Sequence, residues 1–95
     1  CFVGHTHELL LVEVGEGGLE VGRLGEGRHE LQEGRRLVNA GSVGQPRDGD
    51  NRAKYLIWEP AARLLEVRFV AYDIRRTVEG MAAAGLPRIY ADRLW

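Results

Sequence analysis

The sequence predicts an α+β fold: an antiparallel β-meander and a hairpin, followed by one or two C-terminal helices. Three observations carry this reading. Between residues 8 and 39, short apolar runs are separated by Gly- and Glu-rich turns, a spacing that suits short strands. Residues 53–72 hold two apolar, alternating stretches around Pro60-Ala61-Ala62-Arg63. From Asp73 onward the apolar period lengthens to that of a helix.

Taken in order, Cys1-Phe2-Val3 reads as the end of a buried strand. Residues 8–14 (Glu8-Leu9-Leu10-Leu11-Val12-Glu13-Val14) form the next strand, closed by the turn Gly15-Glu16-Gly17-Gly18. Leu19-Glu20-Val21 alternates again and ends at Gly25-Glu26-Gly27, and residues 28–32 and 35–39 give two more short strands around Glu33-Gly34. Residues 40–52 hold three Gly, one Pro and no apolar period, and read as a long loop of the kind that is often functional. Ala53–Glu59 and Leu64–Tyr72 pair as a hairpin, with Leu65, Val67 and Phe69 on one face and Glu66 and Arg68 on the other. Asp73 is placed to cap a helix whose stripe is Ile74, Val78, Met81 and Ala82, a core-facing pattern. Gly85 suits the residue just past its end, and residues 87–94 a second short helix.

Composition narrows the function classes. Lys+Arg 13 against Asp+Glu 14 gives a net charge of −1. This argues against bulk nucleic-acid binding or attachment to an anionic membrane surface. No apolar run approaches the roughly 18–20 residues of a membrane span. A single Cys makes no internal disulfide, which points to a reducing, cytoplasmic setting. The chain is compatible with a homo-oligomer. It opens on Cys1 and runs directly into an apolar triplet, which reads as the later part of a longer polypeptide.

The residues with chemistry in them cluster at two places. Gly4-His5-Thr6-His7 follows the first strand directly. Two imidazoles two residues apart reach a common region, and neutral imidazole ligates Zn, Mn, Fe, Ni and Co. A pair of hydrogen-bonded or surface histidines has the same spacing. A catalytic metal needs about three protein ligands; Asp48, Asp50 and Asp73 are downstream carboxylates, although Asp48-Gly49-Asp50 equally suits a turn. His29, near a hairpin tip, reads as solvated. The second place is Asn39-Ala40-Gly41-Ser42-Val43-Gly44, where small residues let backbone N–H groups approach an anion and Arg47 offers a bidentate phosphate contact. The same glycines serve a tight turn, with Arg47 in solvent. No Gly-Lys-Ser/Thr follows, so this is not a Walker A loop.

The ordered set of Gly4-His5-Thr6-His7, Asn39-Ala40-Gly41-Ser42-Val43-Gly44, Gln45-Pro46-Arg47, Tyr72-Asp73-Ile74 and Ala84-Gly85-Leu86-Pro87 resembles the calcineurin-like metallophosphoesterase superfamily, in its small prokaryotic phosphodiesterase branch. In that family the last metal motif reads Gly-His-x-His, followed by a meander and an Asn-Pro-Gly-Ser segment. Ala40 stands where the family usually has Pro, and the segment between Leu11 and Leu37 is longer and richer in Gly. The family's earlier motifs (Asp-x-His, Gly-Asp, Gly-Asn-His and an isolated His) would all precede Cys1.

The resemblance therefore implies that residues 1–95 are the C-terminal portion of one metallophosphoesterase domain, an α/β/β/α sandwich. It implies two divalent metal ions (Mn, Ni, Co, Fe or Zn), His5 on one and His7 on the other, with a shared water or hydroxide attacking phosphorus. Asn39, Ser42 and Arg47 would line the rim of a site for a small phosphodiester or nucleotide-like substrate. His5 and His7 are expected within about 5 Å of each other at a strand end, facing a common cavity, with residues 40–47 packed back toward them. Alone, a chain with two of the ligands is expected to be inactive. The same fold with a degraded metal site also serves as a protein-interaction scaffold, which is the alternative reading.

Overall fold

A computed structural model describes all residues 1–95. It holds seven strands and two helices: β1 (Phe2–Val3), β2 (Leu9–Gly15), β3 (Gly18–Arg23), β4 (Gly27–Glu30), β5 (Arg36–Ala40), β6 (Ala53–Glu59), β7 (Leu64–Val70), α1 (Ile74–Ala83) and α2 (Arg88–Asp92). The α+β class and the C-terminal helices are as the sequence predicts. The pairing is not simply sequential. One sheet has the order β1-β5-β2-β3 and the other β4-β7-β6. β2 and β3 form a hairpin, but β4 crosses to pair with β7, and β5 returns between β1 and β2. Periodicity reports which face of a strand is apolar, not which neighbour it takes, so this crossing had no local signal.

The β6–β7 hairpin forms as expected, although β7 ends at Val70 and not at Tyr72. Alternation sends Leu65 and Val67 inward, where they are 0% and 1% exposed. They meet Leu9 and Val38 of the other sheet together with Leu24, so one core joins the two sheets, edged by Leu11, Leu31, Leu56 and Phe69. Burying side chains of this size contributes about 1.5–3 kcal/mol each. The opposite face of the first sheet is open: Val14, Leu19 and Val21 are exposed.

α1 starts where the Asp73 carboxylate accepts from the Arg76 N–H at 2.9 Å. Ile74 is buried, Val78 and Met81 half-buried, and Ala82 exposed. The helix stops in a Schellman motif: Leu86 N–H donates to Met81 O and Gly85 N–H to Ala82 O, each at 3.0 Å. Gly85 adopts φ 72°, which only a residue without Cβ takes cheaply. Leu94, just past α2, is buried and reaches the long loop: a Cβ on Gly44 would lie 3.2 Å from Leu94 Cδ2.

Candidate metal-binding turn

β1 and β5 are the only parallel pair, with Val3 opposite Asn39. Parallel strands end on the same side, so the segments that follow them emerge together. Those segments are Gly4–His7 and the start of the 41–52 loop. The topology thus brings the two places singled out in the sequence side by side.

His5 and His7 do not continue a strand. Both have left-handed backbones, φ 78° and 63°. Thr6 N–H donates to Gly4 O at 3.1 Å, which makes His5 the centre of a three-residue turn. A left-handed backbone costs an L-residue roughly 1–2 kcal/mol. Strain of this kind persists where the surroundings impose it, and it concentrates at functional sites.

The surroundings here are specific. His7 Nδ1 lies 2.9 Å from Gln45 O. A carbonyl only accepts, so Nδ1 carries the proton and Nε2 is left with its lone pair. This is how a metal-ligating histidine is oriented. His5 is exposed and its ring has no hydrogen-bond partner within the chain. Asn39, 5% exposed, donates from Nδ2 to Gly4 O at 3.1 Å and to Thr6 Oγ1 at 2.7 Å, and its Oδ1 accepts from Gly41 N–H at 3.2 Å. Its amide holds the histidine turn through all three bonds.

The other expected site residues are placed as follows. The Ser42 hydroxyl donates to Gly44 O and accepts from Gly44 N–H at 3.1 Å, closing its own turn. Arg47 is exposed and forms no ion pair within the chain. The downstream carboxylates are occupied elsewhere: Asp48 by Lys54 at 3.0 Å, Asp50 by Arg52 at 2.5 Å, and Asp73 by its helix. His29, expected in solvent, donates from Nε2 to Gly25 O at 2.8 Å because the preceding turn folds back on it. Two clefts, one beside Cys1, Phe2 and Trp58 and the other beside Leu10, Arg23 and Asp48, are lined by neither His5 nor His7. No three His, Cys, Asp or Glu side chains come together. The two imidazoles fit a divalent metal in type, and His7 also in its free Nε2, but they are fewer than the usual ligand set.

Arg52, through its guanidinium and its backbone N–H, lowers the Asp50 carboxyl from 3.8 to about 2. A depressed carboxyl stabilises the fold fully above its unfolded value of about 3.9 and loses that contribution as pH falls through the folded value. The Asp50 side-chain carboxyl carbon is therefore expected to titrate near 2 by NMR. In Arg52→Ala it should return toward the ordinary carboxylate range.

Sequence reasoning did not find Lys54, Thr6 or the Gln45 carbonyl. A backbone acceptor leaves no sequence signal. Lys54 did leave one: it occupies the same alternating face of β6 as Leu56, where a cation is out of pattern.

No protein-family model matches the chain. An uncharacterized protein of Methanocaldococcus jannaschii is 41% identical over 95 residues, which are 99% of this chain and 37% of that protein. The crystal structure of a metallophosphoesterase from Sphaerobacter thermophilus superposes with a TM-score of 0.88 at 41% identity, covering 99% of this chain and 40% of that one. The chain thus spans well under half the length of these relatives. Over nearly all of its residues it matches, in sequence and in fold, a segment of a metallophosphoesterase.

Proposed function

We propose that the chain forms part of a metal-dependent phosphoesterase acting on a small phosphodiester or nucleotide-like substrate, with His5 and His7 among the ligands of two divalent ions (Mn, Ni, Co, Fe or Zn). The observation that carries this is His7 Nδ1 on Gln45 O at 2.9 Å, which frees Nε2 within a strained, tightly held Gly-His-Thr-His turn. The likeness to a metallophosphoesterase supports the reaction class. Bound metals supply Lewis-acid polarisation of phosphoryl oxygens and a water-derived nucleophile at neutral pH. The chain's own residues do the positioning: Asn39 fixes the turn, Gln45 orients His7, and Arg47 offers a free guanidinium two residues beyond Gln45. The remaining ligands come from outside these 95 residues.

Hydrolysis of an aryl phosphodiester with Mn²⁺, Ni²⁺ or Co²⁺ tests this. A polypeptide of the relatives' length that includes this chain should turn over, lose activity to a chelator and regain it with metal. The 95-residue chain alone should be inactive. Metal-independent turnover, or full activity of the short chain, contradicts the proposal.

A further inference from the structure

Lys54 is the single lysine of the chain and is 2% exposed. Its three ammonium protons meet three acceptors: Asp48 Oδ1 at 3.0 Å, Asp50 O at 2.5 Å and Arg52 O at 3.3 Å. Its backbone N–H donates to Ser42 O at 2.9 Å. Its stem packs against Gly41, where an added Cβ would lie 3.5 Å from Lys54 Cδ, and the Phe69 ring centroid is 5.1 Å from Nζ. One residue therefore fastens the 41–52 loop at both ends. Between those ends lies Gln45, with φ 56° and its carbonyl on His7.

Stability alone is a weak reason for this arrangement. A buried ion pair is often no better than well-packed apolar residues of similar volume. What an apolar side chain could not do is gather two backbone carbonyls and a carboxylate from residues 48–52 onto one point. The loop is then held from that point as well as from Ser42.

We propose that Lys54 is a positioning residue for the histidine turn. By fixing the loop at both ends it keeps the Gln45 carbonyl on His7 Nδ1, and so holds His7 in the tautomer whose Nε2 is free. The functional weight of this rests on His7 being a metal ligand, but the tautomer itself is measurable without metal.

The test is a long-range ¹⁵N–¹H spectrum of the metal-free protein at about pH 8.5, two units above the ordinary imidazole pKa of about 6.5. The three histidines should be distinguishable: His7 protonated on Nδ1, His29 on Nε2, and His5 a mixture. In Lys54→Met the His7 pattern should collapse toward that of His5 while His29 is unchanged, which also shows that the second sheet is still folded. Apparent Zn²⁺ affinity should fall about 10–100-fold, the effect of losing an outer partner of a ligand. An unchanged His7 tautomer beside an intact His29 overturns the proposal.

If Lys54→Met does not fold, the unaltered protein gives the same answer in rising urea. Chemical acetylation of Lys54, the only lysine target, should share one transition with the loss of the His7 tautomer. His7 keeping its tautomer after Lys54 has become reactive overturns the proposal. The metal reading fails in a different way: Zn²⁺ would leave the His5 and His7 signals unmoved, while the Lys54→Met effect on the tautomer persisted.

Discussion

His5→Gly and His7→Gly should each cost about 10³-fold in phosphodiester hydrolysis, and His5→Gly should at the same time make the protein more stable. The activity loss follows from removing a ligand: Lewis-acid stabilisation of several kcal/mol, with each 1.36 kcal/mol worth a factor of ten, makes about 4 kcal/mol a thousandfold. The stability gain follows from the backbone. His5 has φ 78° and no hydrogen bond from its ring, so glycine relieves the left-handed strain and breaks no side-chain hydrogen bond. The relief, less the greater freedom of glycine in the unfolded chain, is about 0.5–1 kcal/mol. At about 4–8 °C per kcal/mol for a domain of this size, the melting temperature should rise by several degrees. At His7 the gain is partly offset by leaving Gln45 O without its partner. Steady-state kinetics, metal content and a melting curve on the pair read all of this. A histidine that merely decorates the surface would show the stability gain without the activity loss.

Asn39→Ala is expected to have the largest effect on stability at the site. It removes three side-chain hydrogen bonds from a buried position, leaving Gly4 O, Thr6 Oγ1 and Gly41 N–H short of a partner. Gly4 and Thr6 are exposed, so water can take the vacated place there, and at about 0.5–1.5 kcal/mol net for each of the three hydrogen bonds the fold should weaken by about 2–4 kcal/mol. Metal affinity should fall about 10–100-fold with it, since the turn that orients both imidazoles is no longer held. Asn39→Asp should not rescue it, because a carboxylate cannot donate to Gly4 O. A residue that contacts only substrate behaves otherwise: KM rises while metal content and melting temperature stay unchanged. Calorimetric melting and a metal titration on Asn39→Ala separate the two roles.

Much of the local structure was legible in the sequence because its signals are local. Alternation along Leu64–Val70, the Asp73 cap and the Gly85 stop each follow from a few consecutive residues, and each is where it was expected. The Gly-His-Thr-His turn was legible as a motif. Its mechanism was not, because it is built from partners distant in the chain: Asn39 is 35 residues from Gly4, and Gln45 is 38 from His7. The crossing of β4 into the second sheet has the same cause, since strand choice is decided by packing across the core. Asn39 drew attention for its position, and its bonds to Gly4 O and Thr6 Oγ1 had no local signal either. Ser42 similarly spends its hydroxyl on its own turn.

The central claim, that this turn presents His7 Nε2 and His5 to metal, is most directly tested by crystals of a polypeptide of the relatives' length, including this chain, grown with Zn²⁺ and measured at the zinc absorption edge. The account predicts anomalous peaks about 2.0–2.1 Å from His7 Nε2 and from a ring nitrogen of His5, with His7 Nδ1 still on Gln45 O. Zinc bound at His7 Nδ1, or bound elsewhere with both imidazoles free, would contradict it.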